Sequence, residues 1–87
     1  MTDGDDPGRH LDAPDHHLDA RDMKCPLPVL RARKAMKQVP DGGVLAVDAT
    51  DPNAVQDFAN FCDTTGHELV HQEEAGGVYH FRLRKRG

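Results

Sequence analysis

The tetrapeptide Cys25-Pro26-Leu27-Pro28 constrains this chain more than any other stretch, because two prolines in four residues limit what the backbone can do there. Proline is accepted in the first turn of a helix, where its missing N–H would have no intrahelical partner. The stretch therefore predicts a helix with Cys25 at its N-cap that continues through Val39. Leu27 precedes a proline, which disfavours helical backbone angles at Leu27. The first turn is therefore expected to be rigid but to depart from ideal helix geometry.

A cysteine at a helix N-terminus is expected to be reactive. The partial positive charge of the helix end stabilises a thiolate, which lowers the pKa of the thiol below its free value of about 8.5. Lys24 is adjacent to Cys25, and Arg21, Arg31 and Lys34 lie close in sequence. The sequence therefore predicts Cys25 as the catalytic residue. The alternative is a small residue at a helix start that happens to be a cysteine.

Hydrophobic periodicity predicts four strands and two helices. Apolar residues alternate in the first and last strands, run continuously in the second, and recur every three or four residues in the helices. The order βαβαββ predicts an α/β (α+β) two-layer sandwich, with both helices packed on one face of a mixed four-stranded sheet. The predicted strands are residues 17–21, 44–49, 67–73 and 78–84, and the helices are residues 25–39 and one that begins at Asp51-Pro52 and ends at Gly66.

The first helix has one apolar stripe and two leucines outside it. Leu27 and Leu30 fall on the side shared with Lys34, and we expect them to be partly exposed near the cysteine. Exposed leucines beside a reactive group are typical of a docking surface, although single exposed leucines are also common. The stripe consists of Val29, Ala32, Ala35, Met36 and Val39, and the predicted partner-binding residues are Leu27, Leu30, Arg31, Lys34, Lys24 and Arg21.

The second cysteine falls on the apolar stripe of the second helix. Val55, Phe58, Ala59 and Cys62 follow the spacing i, i+3, i+4 and i+7, with Phe61 and Thr65 at its border. Cys62 is therefore interpreted as a buried and inert core thiol. The competing interpretation makes Cys62 the resolving cysteine of a thiol redox or regulatory protein.

Charge divides the chain into two parts. Residues 1–15 hold five aspartates and one arginine and are predicted to be a disordered acidic tail. Residues 16–87 form the predicted single domain, with ten acidic and ten basic residues. His10, His16 and His17 are not interpreted as a metal site, and no metal or cofactor is expected.

The same charges bear on location and partners. The N-terminus lacks the basic and apolar regions of a signal peptide, so a cytoplasmic protein with reduced thiols and no membrane contact is expected. Direct nucleic-acid binding is not expected, because the predicted domain is neutral and its aromatic residues are assigned to the core. A monomer is expected.

The chain resembles the TusA/SirA-like family of small sulfur-carrier proteins over residues 14–87, and most closely the members that carry sulfur for tRNA 2-thiouridine formation. The loop before the motif departs from the family, because Asp22-Met23 stands where many members have Gly-Leu. The resemblance is carried by Leu18-Asp19-Ala20, Cys25-Pro26-x-Pro28-Val29, Arg33-Lys34, Asp51-Pro52, Phe61-Cys62, His67-Glu68-Leu69, Tyr79 and Leu83-Arg84-Lys85.

This resemblance implies a sulfurtransferase that acts as a carrier. Cys25, with Pro26 and Pro28 shaping its loop, would accept sulfur from the persulfide of a cysteine desulfurase and pass it to a downstream relay protein. No cofactor is implied. Thiolation of the tRNA wobble uridine is the expected destination, and molybdenum-cofactor maturation and sulfur oxidation are alternatives that would use the same motif.

Overall fold

The computed structural model describes residues 14–86 and has the element order βαβαββ. The sheet order is β1-β2-β4-β3, in which β1 pairs with β2 in parallel and the other two pairings are antiparallel. The predicted mixed four-stranded sheet with two helices is confirmed. The elements are β1 (His16–Ala20), α1 (Leu27–Met36), β2 (Val44–Ala49), α2 (Ala54–Thr65), β3 (Glu68–Ala75) and β4 (Val78–Arg84).

The parallel pair β1 and β2 positions the loops that matter for function. Their register aligns His16 with Leu45 and Ala20 with Ala49, so both strands end at the same edge of the sheet. Each strand is followed by a loop and then by a helix, as in other crossover units. The loop before α1 and the loop before α2 therefore lie side by side, and both helices begin at this edge.

The core lies between the sheet and the two helices. Leu45, Phe58, Phe81 and Leu83 are fully buried. The Phe58 and Phe81 rings are 4.8 Å apart, and Phe61 packs edge-on against Phe58 with ring centroids 6.4 Å apart. These contacts bury three of the four aromatic side chains as predicted, whereas Tyr79, also assigned to the core, is only partly buried.

The predicted stripe of α2 is rotated from its observed position. Ala59, assigned to the core, is exposed, whereas Phe61, placed at the border, is only 4% exposed. The large ring takes the buried position facing α1, because burying a phenylalanine removes far more apolar surface from water than burying an alanine. Cys62 is buried and Gly66 ends the helix with φ of 85°, both as predicted.

The start of the described chain is bonded to the sheet. Asp15 N–H donates to the Val44 carbonyl, and the Asp15 carboxylate accepts from Val44 N–H at 2.8 Å. Gly43 is needed beside this bond, since a Cβ there would lie 2.7 Å from Asp15 Oδ2. The remainder of the predicted acidic tail, residues 1–13, lies outside the described residues, as does Gly87.

Neither helix in the described part of the chain is long and apolar enough to cross a membrane.

Candidate functional site

Cys25 is exposed in the loop between β1 and α1, at the edge where both helices begin. Two hydrogen bonds join this loop to the neighbouring one. Asp22 N–H donates to Thr50 Oγ1 at 2.8 Å, and Cys25 N–H donates to Asp51 Oδ2 at 2.7 Å. The cysteine backbone is therefore held by a residue 26 positions later in the chain.

The helix begins later than predicted, because a turn precedes it. Leu27 N–H donates to the Lys24 carbonyl at 2.8 Å, and the first i to i−4 bond runs from Leu30 N–H to the Pro26 carbonyl. Pro26 is thus the N-cap, and Cys25 lies one residue before it. The prediction of Cys25 as N-cap was wrong, because the turn closed by the bond from Leu27 N–H to the Lys24 carbonyl comes before the helix.

The second helix also starts later than Asp51-Pro52. Asn53 is its N-cap, and Ala54 is its first residue. Asp51 Oδ1 accepts from Asn53 N–H at 3.0 Å, which leaves Oδ2 for the Cys25 amide. These two hydrogen bonds lower the pKa of Asp51, with the bond from Cys25 the larger cause. The carboxylate at the predicted start of α2 therefore joins both loops.

The electrostatic environment of Cys25 differs from the prediction. The carboxylate of Asp57, in the first turn of α2, favours the protonated thiol and so raises the pKa of Cys25. Loss of solvent and the negative charges of Asp57 and Asp51 raise it further. A carboxylate near a thiol disfavours the thiolate, which opposes the effect of the helix dipole. The predicted lowering of the Cys25 pKa was therefore wrong.

The predicted cations contribute little at the sulfur. Arg21 Nε lies 2.9 Å from Asp19 Oδ1, and this bidentate pair lowers the pKa of Asp19 to about 2. Arg21 therefore faces an anion of its own. Lys24 is exposed and lies near Asp51, whose pKa it helps to lower.

Asp57 affects the pKa of the Cys25 thiol, although the sequence analysis did not single it out. It lies three and four positions before Asn60 and Phe61, on the side of α2 that faces α1. Asp57, Asn60 and Phe61 line a groove of about 190 Å³ together with Pro26 and Arg33. The sequence does contain a signal for this residue, because Asp57 is an acidic residue in the first turn of α2 and lies on the same helix face as Phe61.

A surface of exposed apolar and basic side chains adjoins Cys25. Leu27 is 47% exposed and Leu30 is 52% exposed, as their places outside the apolar stripe predict. Arg31 and Lys34 on the same helix are exposed as well. We call Leu27, Leu30, Arg31 and Lys34 the helix-tip surface.

The second cysteine is unsuited to exchange with the first. Cys62 is 8% exposed, and burial raises the pKa of its thiol. Both cysteines are free. A resolving cysteine must reach the surface to attack a bond at Cys25, so the geometry counts against an internal redox pair.

A hollow of about 890 Å³ lies on the opposite face of the sheet and is lined by His17, Asp48 and His80, among others. His17 Nε2 and His80 Nδ1 lie 2.8 Å and 2.6 Å from the two oxygens of Asp48. Across residues 14–86, no three histidine, cysteine or acidic side chains are placed to hold a metal ion.

Comparison with known proteins gives a consistent result. The sulfurtransferase TusA family model matches residues 16–85. The sulfur carrier protein TusA of Allochromatium vinosum is 48% identical over 71 residues, which cover 82% of this chain and 93% of that protein. A Pseudomonas putida protein of the same name is 41% identical over 73 residues, covering 84% of this chain and 91% of that protein.

A solved structure supports the same assignment. The crystal structure of a SirA-like protein from Desulfitobacterium hafniense matches with a TM-score of 0.71 and 25% sequence identity. The match covers 83% of this chain and 99% of that one. The resemblance inferred from the motifs is confirmed, and with a family model that spans both helices and all four strands, this chain belongs to the TusA family of sulfurtransferases and sulfur carriers.

Proposed function

We propose that this sulfur carrier transports sulfane sulfur as a persulfide on Cys25, between a cysteine desulfurase and a downstream relay protein, for 2-thiolation of the tRNA wobble uridine. The observation that carries the proposal is the exposed position of Cys25 at the tip of the fold. A thiol in this place is open to the cysteine of another protein.

The chemistry needs no cofactor. In loading, the Cys25 sulfur attacks the terminal sulfur of the donor persulfide, and the donor cysteine leaves as a thiolate. In unloading, a thiolate of the acceptor attacks the terminal sulfur of the Cys25 persulfide, and the Cys25 sulfur leaves. One S–S bond forms and one breaks in each exchange, so no net oxidation occurs.

The helix-tip surface is the proposed docking site for both partners. Leu27 and Leu30 offer apolar area to cover, and the basic residues beside them would attract an acidic partner surface. Lys24 extends this basic surface next to Cys25. Arg21, also predicted as a partner-binding residue, contributes less because Asp19 neutralises it. The reducing cytoplasm is the proposed location, since the carrier thiol must be free between exchanges.

Intact mass spectrometry tests the carrier role. After incubation with a cysteine desulfurase and cysteine, the wild-type protein should gain one sulfur atom, about 32 Da. Cys25→Ser should gain none. Cys62→Ser is the matched control and should still gain the sulfur, because the buried thiol is not involved. Sulfur on the Cys25→Ser protein would refute the assignment.

The destination is tested in cells. Deleting the gene for this protein should reduce 2-thiouridine in purified tRNA, measured by nucleoside mass spectrometry. Expression of the wild-type protein should restore the modification, and Cys25→Ser should not. Unchanged 2-thiouridine in the deletion strain would exclude the tRNA pathway while leaving persulfide loading intact.

A further inference from the structure

The loop that carries Cys25 is exposed, yet two of its backbone N–H groups are bound by consecutive side chains of another loop. Asp22 N–H donates to Thr50 Oγ1 at 2.8 Å, and Cys25 N–H donates to Asp51 Oδ2 at 2.7 Å. Both hydrogen bonds are exposed, so water could satisfy the same two N–H groups. The two bonds are therefore not needed to pair buried donors, and what they determine is where the loop lies.

The acceptor atoms of these bonds belong to a rigid segment. Asp51 Oδ1 accepts from Asn53 N–H at 3.0 Å, which fixes the carboxylate relative to its own loop. Pro52 follows, and a residue before proline is restricted to extended backbone angles. The second carboxylate oxygen is thus directed towards the Cys25 amide by contacts within its own loop. Thr50 comes directly after β2 and is held by the end of that strand.

The cysteine loop is held at three successive points. Asp22 adopts a left-handed conformation with φ of 66°, and its N–H meets the Thr50 hydroxyl. The side chain of Met23 packs against the hydrophobic core. The Cys25 N–H then meets the carboxylate, while Cys25 itself is exposed. The backbone of the cysteine is therefore fixed and its side chain is left open to solvent.

We propose that Thr50 and Asp51 are positioning residues for sulfur transfer, which hold the Cys25 backbone so that its sulfur meets the reacting sulfur of a docked protein. This inference rests on the proposed persulfide function. Neither side chain takes part in the S–S bonds that form and break. Reaction between two proteins requires the two sulfur atoms to be close and aligned, and a misplacement of about 1 Å can slow such a reaction by about 100-fold.

The proposal separates transfer inside a protein complex from the general reactivity of the thiol. Thr50→Val keeps the branched shape of the side chain and removes the hydroxyl acceptor without a change of charge. Transfer from a docked desulfurase should become slower by about 10-fold, because the loop is less well placed. Alkylation by iodoacetamide should change by less than about 2-fold, since a small reagent can approach an exposed thiol from many directions. Thr50→Ser retains a hydroxyl and should restore transfer.

Amide hydrogen exchange reports the loosening of the loop directly. In the full chain, the Asp22 amide of Thr50→Val should exchange about 5-fold faster than in the wild-type protein, as expected for the loss of one hydrogen bond. The Cys25 amide should follow it, because the two bonds hold the same loop.

Single-turnover loading measures placement and docking separately. A desulfurase carrying a persulfide is mixed with increasing concentrations of the carrier, and loading is followed by intact mass. The plateau rate reports transfer within the complex, and the half-saturating concentration reports affinity. Thr64→Val is the matched control, because the Thr64 hydroxyl donates to the Asn60 and Phe61 carbonyls of its own helix.

Thermal melting verifies the fold of each variant. If Thr50→Val does not fold, Asp51→Asn takes its place, because one amide oxygen cannot replace both carboxylate oxygens at Cys25 and Asn53. The Asp51 charge contributes to the raised pKa of Cys25, so alkylation of this variant should be no slower than that of the wild-type protein. Transfer within the complex should still be slower.

The outcomes are distinguishable. A lower plateau rate with unchanged half-saturation and unchanged alkylation in Thr50→Val, restored in Thr50→Ser, supports the positioning role. An unchanged plateau rate overturns it, whether or not half-saturation rises, since a rise alone would mean that Thr50 contacts the partner. Equal slowing of transfer and alkylation also overturns it, because the thiol itself would then be less reactive. Loading of the wild-type protein leaves the carrier function in place in each case, and a wild-type protein that takes up no sulfur overturns both proposals.

Discussion

Truncation of Leu27 or Leu30 to alanine should weaken binding of the sulfur donor without unfolding the carrier. Burying a leucine side chain completely is worth about 1.5–3 kcal/mol, and these two keep 47% and 52% of their surface exposed. A partner can therefore cover about half of each side chain, which corresponds to about 1 kcal/mol of binding free energy. Each substitution should raise Kd by about 5-fold, mainly through faster dissociation.

Surface plasmon resonance against an immobilised cysteine desulfurase measures both rate constants. Val70→Ala is the matched control, since Val70 is also exposed, at 37%, but lies on β3 away from Cys25. Urea unfolding of each variant gives its stability. Leu27→Ala should change the free energy of unfolding by less than about 1 kcal/mol, whereas truncating the buried Leu45 should cost about 2–5 kcal/mol.

Two results would show that the helix-tip surface is misassigned. One is a loss of stability in Leu27→Ala as large as that in Leu45→Ala, which would place Leu27 in the core. The other is an equal rise in Kd for Val70→Ala and Leu27→Ala, which would mean that the partner contacts the β3 side as well.

Three further measurements test the electrostatics of the fold. In the native protein, Cys25 should be alkylated faster than Cys62. The alkylation rate of Cys25 should keep rising above pH 9, because its pKa is raised from about 9. A rate that reaches a plateau below pH 8 would contradict the raised pKa. Arg31→Glu and Lys34→Glu should each slow association with the desulfurase severalfold, and the effect should shrink with salt as the screening length falls below about 10 Å; an effect independent of salt would count against steering. Burial alone would raise the pKa of Asp48, but hydrogen bonds to two histidines lower this pKa from 3.8, so the carboxylate stabilises the fold above that pH and the stabilisation is lost as the pH falls below it. Asp48→Asn should reduce the loss of urea resistance at low pH. An unfolding profile against pH that this variant leaves unchanged would refute the linkage.

The architecture was predictable because it depends on local periodicity. The strict alternation from Val78 to Arg84 and the apolar run from Val44 to Ala49 define two strands whose bounds agree with the structure. Burial of Cys62 followed from its place on a helical stripe. These features need only the residues within one element, so the sequence contains the information directly.

The chemistry of the cysteine was not predictable in the same way. Asp57 lies 32 positions after Cys25, and only the parallel pairing of β1 with β2 brings the two helix starts together. A prediction based on neighbours in sequence counted the cations near Cys25 and missed the carboxylate across the groove. Arg21 was misjudged for a related reason, since its partner Asp19 is two residues away on the same side of the strand.

The loop departure at Asp22 has a structural explanation. Asp22 adopts φ of 66°, a left-handed conformation that glycine adopts freely and that aspartate tolerates better than most residues. A glycine, as in many relatives, would suit the same backbone. The departure therefore exchanges one residue compatible with this turn for another and adds a carboxylate to the loop.

The bond from Cys25 N–H to Asp51 has a consequence for how cargo travels. Carriers with a long flexible prosthetic arm can swing a reactive group between sites while staying bound. Here the sulfur is fastened through its own backbone to a second loop of the folded domain, so its reach is that of one side chain. Under the proposed function, delivery then proceeds by release from one partner and collision with the next. Throughput should accordingly depend on carrier concentration and on how quickly each complex separates.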